Sequence, residues 1–98
     1  MQTRVRHITD VLSRHMHVLR DAYHVGTIGV FGSAARGEDT PGSDIDILVE
    51  FSEPIGFFKF LELEEYVSSI LERKVDLVTR NALKPAIKDA VLRDVIYV

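Results

Sequence analysis

The sequence predicts a single small α/β domain, because patterns typical of helices alternate along it with patterns typical of strands. The chain has 98 residues, which is enough for one domain with a modest core. Apolar residues recur at helical spacing in two long stretches, and short β-prone runs lie after each of them. We therefore expect residues 1–98 to form one domain.

The composition excludes several classes of site and location. The chain contains no cysteine, which rules out disulfides, thiolate zinc sites and cysteine nucleophiles. Its formal net charge is −3 and it has no long run of Lys or Arg, so strong binding to a nucleic-acid polymer is not expected. No apolar run approaches the ~20 residues that cross a bilayer, and the first residues do not resemble a signal peptide. These features predict a cytoplasmic protein without a membrane partner.

The first third of the chain predicts a helix followed by a strand. From about Gln2 to Tyr23, apolar residues repeat at three- and four-residue spacing with no interrupting Gly or Pro, and Gly26 follows as a stop signal. The run Thr27 to Phe31 is β-prone and leads into a Gly-Ser turn. These elements place that turn at the end of a strand.

The Gly32-Ser33 turn has the composition of a phosphate-binding turn. Ser33 is expected to be the N-cap of a short helix that begins at Ala34, and the free N–H groups of a helix N-terminus suit an anion. Gly32 has no side chain, so its backbone can approach a ligand closely. A Gly-Ser pair by itself, however, is more typical of an ordinary strand–turn–helix connection.

Two acids stand at the start of the second predicted strand, which runs from Asp44 to Phe51 after a loop rich in Gly, Pro and acids. Because side chains alternate along a strand, Asp44 and Asp46 share a face, and their Cα atoms lie about 6.5–7 Å apart. Ile45, Ile47, Val49 and Phe51 point the opposite way, into the expected core, whereas Leu48 and Glu50 share the face of the acids. Alone, such a pair is more typical of a solvated turn.

The second half of the chain predicts two more helices and another strand. Phe57 to Leu71 is a helix that Pro54 is placed to open, and its wide apolar stripe favours deep burial against the sheet. The alternative is that part of this stripe docks a partner protein. Arg73 to Thr79 is a strand, Leu83 to Asp94 is a helix, and Val95–Val98 favours a short edge strand.

Asp76 is a third strand-borne carboxylate, in a position where acids are uncommon. If its strand lies beside that of Asp44 and Asp46, with all three on one sheet face, three carboxylates meet. Magnesium prefers oxygen ligands and is usually bound by carboxylates together with substrate phosphates. Two such ions about 3.5–4 Å apart can clamp both oxygens of a phosphoryl displacement. The pattern therefore predicts a nucleotide site with two Mg²⁺ ions.

Each candidate residue has a predicted role in that site. Asp44 and Asp46 would hold the metal ions, and Asp76 would complete the metal site and help to deprotonate an acceptor hydroxyl. Gly32 and Ser33 would position the β- and γ-phosphates of a nucleoside triphosphate such as ATP. Competing nucleotide motifs are missing from the sequence, which contains neither a P-loop nor a dinucleotide-binding fingerprint.

The order of these motifs resembles that of a known superfamily. Gly32-Ser33, then Asp44-Ile45-Asp46, then Asp76 on a later strand is similar to the DNA polymerase β-type nucleotidyltransferases. The fuller runs Phe31–Gly37 and Ser43–Val49 resemble its smallest branch, the minimal nucleotidyltransferases (MNT). The similarity covers nearly the whole chain.

The resemblance implies a mixed β-sheet with helices mainly on one face, and Mg²⁺-dependent transfer of a nucleoside monophosphate with release of pyrophosphate. Many MNT proteins are encoded beside a small helical HEPN protein and act as the antitoxin of that pair, by transferring AMP from ATP to a tyrosine of the toxin. All matching carboxylates are present here, which implies an active enzyme. Arg36 matches a family position too, as a phosphate contact or as part of an internal ion pair.

Acceptor and partner stay open in the sequence. Larger superfamily members carry additional domains that hold the base and the acceptor, so we expect a partner to complete the site, either a HEPN-type protein or further copies of the chain in a homo-oligomer. A non-catalytic antitoxin that masks its partner is an alternative function, and transfer to a small molecule such as an aminoglycoside is another.

Overall fold

A four-stranded mixed β-sheet lies at the centre of this computed structural model, which describes residues 3–98. The strands are β1 (Val25–Phe31), β2 (Ile45–Phe51), β3 (Val75–Thr79) and β4 (Ile96–Tyr97). The helices are α1 (Thr3–Arg14), α2 (Met16–Tyr23), α3 (Gly32–Ala35), α4 (Phe57–Leu71) and α5 (Pro85–Asp94), and a 3₁₀ turn covers Arg80–Ala82.

The order of the strands across the sheet is β3-β2-β1-β4. β1 runs antiparallel to both β2 and β4, whereas β2 and β3 are parallel neighbours joined through α4. Parallel neighbours begin at the same edge of a sheet. The first residues of β2 and β3 therefore lie side by side, and the mixed sheet that the family resemblance implied is confirmed.

The two faces of the sheet are covered unequally. One face packs against α1, α2 and α4 and forms the larger core. Its fully buried side chains include Leu12, Leu19, Ile28, Val30, Ile45, Ile47, Val49, Leu63 and Val67. The opposite face carries a smaller cluster of Phe31, Leu48 and Leu83, against which the C-terminal part of α5 packs. The expectation of helices mainly on one face is confirmed, and the alternation predicted for β2 accounts for both clusters.

The expected single helix at the start of the chain is two helices, which is a correction. The break lies at His15, whose Nδ1 donates to the Val11 carbonyl at 2.8 Å while its backbone N–H bonds to Leu12 instead. The ring thus takes the acceptor that an uninterrupted helix would use. The predicted start at Gln2 lies outside the described residues. None of the described helices is long and apolar enough to cross a membrane.

Two expectations about the later helices are also wrong in detail. Pro54 does not open α4, because the helix begins at Phe57 and Gly56, which precedes it, is extended. The apolar stripe of α4 is buried at Leu63, Val67 and Leu71, but its first turn is not: Phe57 is 70% and Phe58 84% exposed. Deep burial of this whole stripe is therefore contradicted.

The helix α5 begins later than predicted and buries different residues. It starts at Pro85, and Leu83, which precedes it, fills the place against the sheet. Ile87 and Ala90, expected on the inner side, are exposed, whereas Leu92 packs inward beside Val91. Because only the C-terminal half of α5 contacts the sheet, the helical period alone placed its inner side incorrectly.

The free edge of β3 is covered by side chains of α4. The Leu77 N–H donates to Glu64 Oε2 at 2.9 Å, and the Val75 N–H donates to Ser68 Oγ at 3.2 Å. Backbone donors on an edge strand otherwise invite pairing with another chain. Both contacts are partly buried, so α4 satisfies donors that water reaches poorly.

We expect Glu64→Ala to lower the free energy of unfolding by about 1.5 kcal/mol, because it leaves the Leu77 N–H without its charged acceptor. Glu65→Ala is the matched control, since Glu65 is exposed on the same helix, and it should change stability by less than about 0.5 kcal/mol. Urea denaturation of both variants measures the difference. Equal effects of the two substitutions would contradict the role given to Glu64.

Candidate active site

The parallel pairing of β2 and β3 brings the predicted acids together on one face of the sheet. Asp46 stands directly beside Asp76 in the register of the two strands, and Asp44 immediately precedes β2. Residues side by side on adjacent strands point to the same face, and the strands are about 4.8 Å apart. Among residues 3–98, α5 and Leu83 cover this face of the sheet, and the end of it that carries the exposed Asp44 and Asp76 is open.

The three acids differ in exposure, and their negative charges repel one another. Asp44 and Asp76 are exposed, whereas Asp46 is half-buried between them and the turn after β1. Burial raises the pKa of Asp46, and the negative charges of Asp76 and then Asp44 raise this pKa further. The Arg36 guanidinium opposes these effects and lowers the same pKa. A cation bound at this place would relieve the repulsion.

Gly32 lies against the Asp46 carboxylate. Its φ angle is +70°, in the left-handed region that L side chains rarely adopt, and a Cβ placed on it would overlap Asp46 Oδ2. The contact follows from the sheet register, which pairs Phe31 with Asp46 and so brings the next residue beside that side chain. Glycine is therefore required here to seat the turn on the acid.

Ser33 is not the helix cap that the sequence predicted. The residue that precedes α3 is Phe31, in an extended conformation, and Ser33 is the second helical residue. The chain enters the turn one residue early because Gly32 takes the left-handed conformation directly after β1. Ser33 is half-buried and remains next to the Gly32–Asp46 contact, so the correction concerns its capping role and not its place in the site.

Arg36 forms ion pairs within the chain. Its Nε lies 3.0 Å from Glu38 Oε1 and its Nη1 lies 3.5 Å from Asp94 Oδ2 on α5. All three side chains are substantially exposed, so these pairs contribute little to stability. Of the two roles left open for Arg36, the internal ion pair is present in the structure. The charge of Arg36 nevertheless acts on Asp46, as its effect on that pKa shows.

Sequence reasoning missed a buried ion pair beside the acids. The Asp39 side chain is fully buried and its Oδ2 accepts a hydrogen bond from Arg73 Nη1 at 2.9 Å. Lys74, the next residue, places its Nζ 4.0 Å from Asp44 Oδ2 at the surface. An acid in a polar loop carries no sequence signal of burial, because Arg73, which pairs with it, comes 34 residues later in the chain.

The donor set at this end of the sheet fits a hard divalent cation. Within residues 3–98, no three His, Asp or Glu side chains form a ready-made ligand cluster. Magnesium does not require one, because it is usually bound through one or two carboxylates together with waters and substrate phosphates. The adjacent Asp46 and Asp76 provide such oxygens, and the Gly32 turn packs directly against the Asp46 carboxylate.

Known proteins share this sequence and fold. Residues 12–98 match the family model described as a nucleotidyltransferase domain. Protein adenylyltransferase MntA of Thermococcus cleftensis is 48% identical over 91 residues, 93% of this chain and 92% of that protein. A Methanocaldococcus jannaschii protein, provisionally named a protein adenylyltransferase, is 50% identical over 95 residues, 96% of this chain and 97% of its own length.

Among solved structures, a crystal structure described as a toxin-antitoxin with AMP-PNP superposes with a TM-score of 0.71 at 27% identity. The superposition covers 87% of this chain and 69% of that one. The family model spans most of the sequence and includes every candidate site residue, from Gly32 to Asp76. The chain therefore belongs to the nucleotidyltransferase domain family and is a nucleotidyltransferase, as its motifs predicted.

Proposed function

We propose that this chain, as one domain, transfers AMP from ATP to a tyrosine hydroxyl of a HEPN-type toxin partner and thereby acts as its antitoxin. One observation carries the proposal: Asp46 stands beside Asp76 on parallel strands, with Gly32 seated against the Asp46 carboxylate. The names of the two archaeal relatives support transfer of an adenylyl group to a protein. The AMP-PNP complex of the structural neighbour supports a nucleoside triphosphate as donor.

The three carboxylates are proposed to hold Mg²⁺, with Asp46 and Asp76 side by side and Asp44 at the exposed rim. When bound, Mg²⁺ would supply positive charge to the triphosphate and to the departing pyrophosphate. The half-buried Asp46 gains most from such a cation, because burial and two neighbouring acids already disfavour its charge. Asp76 is exposed, and its carboxylate can accept the proton of an acceptor hydroxyl.

The turn after β1 is proposed to bind the phosphates. The backbone of Gly32 and Ser33 lies next to Asp46, where a nucleotide bound at the acids would place its triphosphate. Arg36 follows one turn later and its charge already reaches Asp46, so it is placed to favour the bound anion. Its pairs with Glu38 and Asp94 keep the guanidinium at this end of the sheet.

The test uses the chain together with the small helical protein encoded beside it. With Mg²⁺ and ATP labelled at the α-phosphate, we expect label on a tyrosine of the partner, and none after chelation or with Asp44→Ala. ATP labelled at the γ-phosphate is the control, because nucleotidyl transfer releases that phosphate with pyrophosphate. Label from the γ-phosphate, or label that persists in Asp44→Ala, would contradict the proposal.

A second candidate function is supported by the exposed first turn of α4. Phe57, Phe58 and Leu61 form an apolar surface, with exposed fractions of 70%, 84% and 40%. Helix α4 packs on the opposite sheet face from the acids, so a partner bound there would not need the nucleotide site. In this case the chain would mask its partner without chemistry. Neutralisation of the toxin by Asp44→Ala, which cannot transfer AMP, would favour masking over transfer.

A further inference from the structure

The loop between α3 and β2 is closed into a turn just before Asp44. The Ser43 N–H donates to the Thr40 carbonyl at 2.9 Å, and the Thr40 N–H donates to Ser43 Oγ at 3.1 Å. The two hydroxyl oxygens lie 2.9 Å apart. This turn fixes the local shape of the loop, but its own hydrogen bonds do not attach it to the sheet.

Arg73 attaches the turn to the sheet. Its Nη2 donates to the Thr40 carbonyl at 2.8 Å and to the Ser43 carbonyl at 2.7 Å. Its Nη1 donates to Asp39 Oδ2 at 2.9 Å, and the side chain of Asp39 is fully buried. One guanidinium therefore donates to three acceptors in the loop. One of these acceptors is the carbonyl of Ser43, the residue that precedes Asp44.

Arg73 also lies at the start of the strand that carries Asp76. It is separated from β3 by Lys74 alone, and the Lys74 carbonyl accepts a hydrogen bond from the Ile45 N–H at 2.9 Å. The side chain of Arg73 and the backbone beside it thus join the approach to Asp44 to the approach to Asp76. Within the sheet, Asp44 and Asp76 are connected through the pairing of β2 with β3, in which Asp46 lies beside Asp76.

The cluster is not arranged for the greatest stability. Among the described residues, buried Asp39 Oδ1 and Arg73 Nε have no hydrogen-bond partner, so the pair makes fewer contacts than a two-pronged carboxylate–guanidinium pair would. Buried ion pairs are often no more stabilising than apolar residues of similar volume. The bonds that Arg73 makes instead go to the two carbonyls of the turn.

We propose that Arg73 is a positioning residue of the nucleotidyltransferase site, which fixes Asp44 relative to Asp76 so that the acids can share a divalent cation. The inference rests on the proposed function, which assigns the acids to that cation. A lysine keeps the charge but has one nitrogen and no planar fork, so it cannot reach Asp39 and both carbonyls together. Asp44 is exposed, and the loop that precedes it would then lose its attachment to Arg73.

The first experiment compares Arg73→Lys with Arg80→Lys. Arg80 directly follows β3 at the other end of the strand, and its only described ion pair is a 3.9 Å contact with Glu50. In Arg73→Lys we expect kcat to fall about 10- to 100-fold with little change in the KM for the acceptor protein, because small displacements of reacting groups cost that much. Binding of Mn²⁺ in the presence of AMP-PNP should weaken about tenfold, and amide exchange should accelerate at Thr40 and at residues 42–44. Arg80→Lys should match the wild type in all three measurements.

The second experiment separates positioning from stability. Arg73→Met alone removes the nearer of the two cations beside buried Asp39, the other being Arg4 at 3.8 Å, and should unfold at a lower temperature. Asp39→Leu combined with Arg73→Met removes both charges, so thermal stability should recover while kcat stays low, because the Thr40 and Ser43 carbonyls still lack their donor. Recovery of both stability and kcat in the double variant would overturn the inference.

The outcomes distinguish this inference from the proposed function. A wild-type chain that binds no Mn²⁺ with AMP-PNP and transfers no AMP would overturn the proposed function, and the inference with it. A wild-type chain that does both, with Arg73→Lys equal to it in kcat and Mn²⁺ binding, would overturn the inference alone.

Discussion

Asp46→Asn should reduce AMP transfer by at least about a thousandfold, which corresponds to about 4 kcal/mol of transition-state stabilisation. Asp46 contacts both halves of the proposed site, since it lies beside Asp76 in the sheet and against the Gly32 turn. An amide keeps the shape of the side chain but removes the charge that a divalent cation requires. Initial rates with α-labelled ATP, at saturating Mg²⁺, measure the loss.

The same variant should be more stable than the wild type at neutral pH, which separates lost chemistry from unfolding. Burial and the charges of Asp76 and Asp44 raise the folded-state pKa of Asp46 above 3.8, its ordinary value. The stability that this group contributes is therefore present below the unfolded pKa and is lost as the pH rises through the folded pKa. Asparagine does not ionise, so Tm should exceed that of the wild type at pH 7, and the difference should shrink in acid.

Glu50→Gln is the matched control for Asp46→Asn. Glu50 lies on the same strand and face, but at the far end, where it accepts a hydrogen bond from Thr27 and lies near Arg80. We expect its transfer rate to stay within about twofold of the wild type, because surface changes away from a site have small effects. Two outcomes would contradict the role given to Asp46: an equal loss of transfer in both variants, or a normal transfer rate in Asp46→Asn.

Gly32→Ala should lower both transfer and stability. The added Cβ would overlap the Asp46 carboxylate, and the left-handed backbone costs a residue other than glycine about 1–2 kcal/mol. We expect transfer to fall about 100-fold because Asp46 must move from Asp76, and the free energy of unfolding to fall by about 1–3 kcal/mol. Transfer assays and urea denaturation measure the two effects.

Gly56→Ala is the control for this substitution. Gly56 has a φ of −74° and no atom within 4 Å of the position of an added Cβ, so alanine fits there without strain. Its transfer rate should equal that of the wild type. A Gly32→Ala protein that behaves like Gly56→Ala would show that the turn does not need to approach Asp46 closely.

The sequence by itself determined most of the elements and the face of β2 on which Asp44 and Asp46 lie. The alternation from Ile45 to Phe51 fixed which side of β2 is buried, since a period of two allows only one assignment once the core residues are known. The order of the Gly-Ser turn, the paired acids and Asp76 was enough to identify the superfamily. The resemblance also supplied the mixed sheet, which the spacing of residues could not.

Only the tertiary structure decided the contacts between segments distant in the chain. Three contacts join residues that are far apart in sequence. Asp46 lies beside Asp76 in the sheet, Gly32 packs against the Asp46 carboxylate, and Arg73 donates hydrogen bonds to the loop before Asp44. The sequence also did not predict the break at His15 or the exposure of Phe57 and Phe58. Helical spacing shows which residues are apolar, but it does not show which groups each side chain contacts. Local patterns encode the period of each element, whereas its neighbours depend on packing between elements.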